Sequence, residues 1–191
     1  VAQLMAYNKK FLIIGNQNAI TYKEIFRLIK ENKIWLGNNS GAWKFEVPFE
    51  KSLEENSKVT VDSNGKCWQS FGNICWFTNI SHNKRNEKLI LYKNYTPEDY
   101  PKYDNYDAIE VGKVVNIPQD YDGVMGVPIT FLDKYNPEQF EIVGIACGNS
   151  WKNYPQILEK LNFNPNIKYG GGLGTPIING KPTYARILIK K

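Results

Sequence analysis

Lys9-Lys10-Phe11-Leu12-Ile13-Ile14-Gly15-Asn16-Gln17-Asn18-Ala19-Ile20-Thr21-Tyr22-Lys23-Glu24-Ile25-Phe26 is the stretch on which the fold class turns. Phe11 to Gly15 is apolar without alternation, the pattern of a strand buried on both faces of a parallel sheet. Downstream, Thr21 and Glu24 have the spacing of a capping box, with Thr21 capping the Glu24 amide and Ile20 and Ile25 as the hydrophobic staple. The predicted helix runs to about Asn32 with Ile25, Phe26, Leu28 and Ile29 inward, and Lys33 to Leu36 follow as a short strand. Upstream, Val1, Leu4 and Met5 share a helical face that runs off the start of the chain without a cap. Helix, buried strand, helix and strand make a piece of an α/β doubly wound sheet. One and a half such units are too few to stand alone as such a sheet, so residues 1–37 are expected to be part of a larger α/β core.

From residue 38 the pattern becomes antiparallel β. Trp43, Phe45 and Val47 alternate with Lys44 and Glu46, and Val59 and Val61 precede an Asn64-Gly65 turn and Cys67-Trp68, a hairpin signal. Cys75 to Ile80 and Lys88 to Tyr92 read as strands, as does Gln139 to Ala146, and Asp122 to Phe131 as a turn feeding a buried strand. Pro155 to Leu161 reads as a short helix. The Asn179-Gly180 turn and Thr183 to Ile189 end the chain as a hairpin. Tyr92, Tyr95, Tyr100, Tyr103 and Tyr106, with Pro97 and Pro101, suggest a packed loop. Residues 38–191 are thus expected to form a β-rich region packed on the core.

Composition closes several doors. The 191 residues are 42% hydrophobic and 23% charged, as in ordinary globular chains, so wholesale disorder is excluded. No apolar run approaches the ~20 residues of a membrane helix, and no membrane partner is expected. One histidine, His82, excludes a His-cluster metal site. Cys67, Cys75 and Cys147 are odd in number and form no C-x-x-C pair, which points to a reducing, cytoplasmic setting. The 22 asparagines, with three arginines among 24 cations, are consistent with an AT-rich coding genome. Residues 1–95 carry 14 basic and 8 acidic groups (net +6), residues 96–191 carry 10 and 11 (net −1). A basic first half is compatible with a nucleic-acid partner without requiring one.

Four groups of residues invite a chemical reading, each beside a plainer one. Gly170-Gly171-Gly172-Leu173-Gly174 resembles a phosphate loop but is followed by a hairpin and lacks G-K-[S/T], so a flexible loop is the better reading. Glu31-Asn32-Lys33 has the E-x-K form of half a nuclease metal site, yet it falls at a helix end with no strand-end aspartate upstream. Asn16, Gln17 and Asn18 follow the first strand directly, where α/β sheets bind ligands, and their amides suit a base edge or cofactor; a simple strand-to-helix turn explains them equally. His82, Asn83, Lys84 and Arg85, flanked by Trp76-Phe77 and Tyr92, mix cations, an amide and aromatics suited to phosphate contact, base reading and stacking. The plain alternative is a solvated loop over core aromatics. The seven acids between Glu98 and Asp122, against two lysines, should face away from phosphate.

Taken together, long ordered strings resemble the EcoRI-type adenine-specific DNA methyltransferases: Phe11 to Phe26, Lys33 to Gly37, Trp76 to Ile80, Tyr100 to Val111, Tyr121 to Gly144 and Asn179 to Lys191. The resemblance spans nearly the whole chain and covers the C-terminal portion of such an enzyme. It implies the final strands of a Rossmann-like methyltransferase sheet followed by a β-rich antiparallel region. It also implies methyl transfer from S-adenosylmethionine to N6 of adenine in duplex DNA, with the target base flipped from the stack. A bacterial or phage restriction–modification origin and a cytoplasmic location would follow. Asn16, Gln17, Asn18, Trp76, Asn79, His82, Asn83, Lys84 and Arg85 are the DNA-binding candidates.

The departure from the family pattern matters as much. The family's N-P-P-aromatic motif, whose Asn receives the adenine amine, has no counterpart here. Asn136-Pro137-Glu138-Gln139 and Asn164-Pro165-Asn166 both lack the second proline and the aromatic. The glycine-rich cofactor motif is missing too; in the family both precede the matched stretch. No catalytic residue is therefore assigned, no metal is called for, and the chain alone is expected to be inactive and to hold S-adenosylmethionine weakly or not at all. It would lack an N-terminal catalytic portion. The alternatives are a non-catalytic DNA-binding or specificity module, or a truncated remnant.

Overall fold

The computed structural model describes residues 1–54, 58–148, 159–164, 166 and 174–191. They form two compact units that share the chain in alternation. Residues 1–19 and 36–80 build the first, and residues 20–35 and 81–191 the second. The fold is mixed α/β, with several sheets and few helices among the described residues.

The first unit holds a five-residue helix α1 (Ala2–Ala6) and strands β1 (Leu12–Asn16), β2 (Trp35–Val47, all but its first residue), β3 (Val59–Val61) and β4 (Cys67–Thr78). The sheet runs β1-β4-β2, with β3 also paired to β4. β1 is antiparallel to β4, with Leu12 opposite Thr78, Ile14 opposite Trp76 and Asn16 opposite Ile74. This corrects the expectation of a parallel strand buried on both faces. Leu12 is 55% exposed and Ile14 44%, with Ile13 between them half-buried. An apolar run does not name its partner. Here β4 supplies one, with buried Cys75 and Phe77, and no crossover helix is needed to reach an antiparallel neighbour.

The Asn64-Gly65 hairpin forms as expected, with Val59 opposite Gln69 and Val61 opposite Cys67. Asp62 closes the turn. Its Oδ1 accepts the amides of Asn64 (2.9 Å) and Lys66 (3.0 Å), and its Oδ2 accepts Trp68 Nε1–H (2.9 Å). The Trp68 bond first, then the Lys66 amide, hold the Asp62 carboxyl below its usual range. β4 then continues unbroken to Thr78, so the two strands expected between Cys67 and Ile80 are one.

The second unit contains α2 (Lys23–Lys30), with Phe26 and Ile29 buried as the periodicity requires. Its N-cap is Tyr22, with no side-chain capping bond, rather than Thr21. A 3-10 turn over Gln17–Thr21 takes Thr21 into its own geometry and moves the helix start by one residue. Asn32 ends the helix in the left-handed region at φ 59°.

The main sheet of this unit combines β5 (Ile109–Glu110), β6 (Met125–Pro128), β7 (Glu141–Ala146) and β10 (Arg186–Lys190) in the order β5-β6-β10-β7. β5 and β6 are parallel, and β10 is antiparallel to both its neighbours. Ile187, Leu188 and Ile189 are all fully buried, so β10 is the strand covered on both faces. Each such side chain contributes about 1.5–3 kcal/mol of transfer free energy.

The short hairpin of β8 (Ile177–Ile178) and β9 (Lys181–Pro182) turns at Asn179 and Gly180, φ 50° and 71°, as an Asn-Gly turn should. The terminal hairpin expected over Thr183 to Ile189 does not form, because β10 leaves this turn and inserts between β6 and β7. Lys88 to Tyr92 is likewise not a strand. Instead, Leu89 N–H donates to Gln139 Oε1 (2.7 Å) and Gln139 Nε2 donates to the Leu89 carbonyl (2.8 Å). A carboxamide carries the same acceptor and donor as a strand edge, and here it takes the place of one. The helix expected over Pro155 to Leu161 and the Gly170 to Gly174 loop lie outside the described residues, Glu159 to Leu161 and Gly174 excepted.

An ion pair is built into the second core. Arg186 grips Glu110 through Nε (3.0 Å to each oxygen) and Nη2 (2.6 Å to Oε1), and the Tyr103 hydroxyl donates to Glu110 Oε2. Burial alone would push the Arg186 pKa down; the bond and charge of Glu110 more than offset this and leave it raised.

Candidate nucleic-acid interface

The candidate residues divide between the two units. In the first, Asn16 ends β1 and turns its Oδ1 back onto the Asn18 amide at 2.8 Å, closing a local turn. Gln17 is buried, whereas Asn16 and Asn18 are exposed. This geometry agrees with the strand-to-helix turn reading. Trp76 lies on β4 opposite Ile14 and packs on Trp43, with ring centroids 5.5 Å apart; Phe45 and Phe71 extend the row. Gly37 lies against Trp76 so closely that a Cβ there would be 2.6 Å from that of Trp76.

Asn79 is occupied at the other end of the same ladder. Its Oδ1 accepts Phe11 N–H (3.0 Å), its Nδ2 donates to the Lys9 carbonyl (2.9 Å), and Thr78 Oγ1 donates to the Phe11 carbonyl (2.7 Å). These bonds moor the start of β1. Four strand rises of ~3.4 Å separate Asn16 from the Leu12–Thr78 end, so Asn16 and Asn79 do not form one cluster.

In the second unit, His82 caps a 3-10 turn over Asn83–Asn86. Arg85 turns inward. Its guanidinium carbon is 3.9 Å from the centroid of Trp35, and its Nη2 donates to Asn32 Oδ1. Desolvation lowers its pKa from the ordinary arginine value. Lys84 instead lines a surface pocket of about 170 Å³ with Glu87, Lys88, Leu89 and Lys134. Sequence reasoning missed Lys88 and Lys134. Lys88 stands four residues after Lys84, which is a signal; Lys134 is fifty residues away and gives none.

Two motifs weighed from sequence now have structural roles. Asn136 is 1% exposed and fully engaged: its Nδ2 reaches the Asn86 (3.1 Å) and Glu87 (3.4 Å) carbonyls, and its Oδ1 accepts Glu138 N–H (2.8 Å). Its Oδ1 is buried and already accepts a backbone amide, so it is not presented to an adenine amine. Glu31 is held between Arg27 Nε (2.7 Å) and Lys33 Nζ (2.7 Å). The Arg27 bond, then the Lys33 bond, pull its carboxyl down to about 2, and a carboxylate so compensated is a poor metal ligand. Among the described residues no three His, Cys, Asp or Glu side chains converge on a possible metal position.

The turn after β1 is closed by Asn16 on Asn18, and among the described residues no glycine-rich strand-to-helix loop presents a row of amides to a nucleoside cofactor.

The chain belongs to the family described as adenine-specific methyltransferase EcoRI, whose model matches residues 1–191. Among its relatives is the Type II methyltransferase M.EcoRI of Escherichia coli, 47% identical over 192 residues, covering 98% of this chain and 52% of the relative. Type II methyltransferase M.MgeORF184P of Mycoplasma genitalium is 40% identical over 98% of this chain and 59% of its own length. Type II methyltransferase M.MpnI of Mycoplasma pneumoniae is 35% identical over 100% and 59% respectively. The chain thus spans between half and three fifths of the length of these relatives. No solved structure matches it. No described helix is long and apolar enough to cross a membrane.

Proposed function

We propose that this chain is the C-terminal, DNA-engaging segment of a restriction–modification methyltransferase. The complete protein would transfer methyl from S-adenosylmethionine to N6 of adenine in duplex DNA in a bacterial cytoplasm. The observation that carries this reading is the family match over all 191 residues. Residues 1–37 would belong with the end of a Rossmann-like catalytic sheet, and residues 38–191 would form the target-recognition region. The exposed apolar side chains of β1, Leu12 and Ile14, support a further layer or strand from the portion of the relatives that this chain does not span.

The isolated chain is proposed to be catalytically silent. It contains no N-P-P-aromatic string, and the side chain of Asn136, in its nearest equivalent, is spent on backbone groups. Cofactor and adenine would be held by the missing portion, while this segment supplies DNA contacts. Incubation with labelled S-adenosylmethionine and an adenine-containing duplex tests both halves of the reading. No label is expected in DNA with this chain alone, and label is expected when it is joined to an upstream segment carrying N-P-P-aromatic. Methylation by the chain alone would overturn the proposed silence; persistent failure of the joined protein would overturn the enzymatic reading.

A further inference from the structure

The pocket lined by Lys84, Glu87, Lys88, Leu89 and Lys134 gathers three lysines around one small cavity on the second unit. Lys88 and Lys134 make no ion pair with any described residue, and Glu87, the one carboxylate of the lining, neutralises neither. The walls are held from behind. Asn136 binds the carbonyls of Asn86 and Glu87, Gln139 binds both backbone groups of Leu89, and buried Phe131 and Leu132 anchor the 3-10 turn ending at Lys134. No aromatic ring lines the pocket, so nothing in it would stack on a base. Its chemistry is that of a small cavity of excess positive charge with ammonium donors.

We propose that Lys84, Lys88 and Lys134 together hold one backbone phosphate of duplex DNA, a contact that positions the duplex without reading its sequence. The proposal rests on the DNA-methyltransferase reading. It also reassigns the loop: Lys84 faces the DNA, and Arg85 holds the loop to Trp35 and Asn32.

The test is duplex binding by the 191-residue chain, followed by fluorescence anisotropy at several salt concentrations. Neutralising one phosphate contributes about 0.9 to the slope of log affinity against log salt. The triple variant Lys84→Gln/Lys88→Gln/Lys134→Gln should lose about 0.9 from the wild-type slope, by the same amount on unrelated duplexes. Between about 50 and 200 mM salt this is roughly a 3.5-fold smaller loss of affinity. Glu87→Gln should bind more tightly with the slope retained. A slope reduced by about 2.7 would mean three separate contacts and would overturn the shared site. Where the wild-type chain binds, an unchanged slope in the triple variant, or weaker binding by Glu87→Gln, would overturn the pocket while leaving the DNA reading intact. A wild-type chain that fails to bind duplex DNA would overturn the DNA role of this segment and the pocket with it.

Discussion

Arg85 packs over Trp35, with its guanidinium carbon 3.9 Å from the ring centroid. Its Nη2 donates to Asn32, and its Nη1 is buried without a hydrogen-bond partner. A cation enclosed in this way is a packing element, whatever its neighbours in sequence suggest.

Arg85→Ala should therefore destabilise the second unit by about 1–2 kcal/mol, through the lost cation–π contact and hydrogen bond. Urea unfolding measures it. The salt slope of DNA binding should stay at the wild-type value under conditions where the variant is folded. A flattened slope would return Arg85 to the DNA surface.

Gln139 offers a sharper chemical distinction. Gln139→Ala removes both bonds to Leu89, whereas Gln139→Glu keeps an acceptor for the Leu89 amide and loses the donor to its carbonyl. Hydrogen exchange at the Leu89 amide should accelerate strongly in Gln139→Ala and much less in Gln139→Glu. Equal acceleration in the two variants would show that the amide is protected by something other than the carboxamide oxygen.

The alkaline limb of stability should report the buried tyrosines. Burial, reinforced by the charge of Glu110, raises the Tyr103 pKa well above its ordinary 10, and burial also raises that of Tyr106. A folded-state pKa raised in this way means that unfolding releases protons once pH exceeds the unfolded value. The stabilisation is complete below about pH 10 and declines as pH rises above it, by up to ~1.4 kcal/mol per pH unit for each group. Tyr106→Phe should shed about one proton's worth of that slope, measured by urea unfolding between about pH 9 and 11. A slope identical to wild type would place the Tyr106 hydroxyl in contact with solvent.

Much of the second unit is visible in short-range signals. The periodicity of Ile25 to Ile29 gives α2, and the β-branched run of β7 and the Asn179-Gly180 turn announce themselves by residue type. What sequence could not show is which strand meets which. Phe11 to Gly15 has the apolar density of a central strand and becomes a half-exposed antiparallel one, while Ile187 to Ile189 takes the central place. Burial on two faces depends on partner strands forty or more residues away, which no local window contains. The candidate site was legible in the same uneven way. Lys84 and Arg85 stand side by side in sequence, yet one lines a surface pocket and the other packs on Trp35 and bonds to Asn32. Lys134 joins Lys84 through folding alone.

The alternation of the chain between its units sets a limit on how the protein can be divided. A cut after residue 80 would yield a fragment carrying the first unit together with α2, whose buried Phe26 and Ile29 belong to the second. The other fragment would lose α2 and with it the Lys30 ammonium that donates to the Val143 carbonyl at 2.7 Å. No single scission separates two intact bodies. A protease or an engineer seeking either one must open the backbone at three places, after residues 19, 35 and 80, and rejoin what remains.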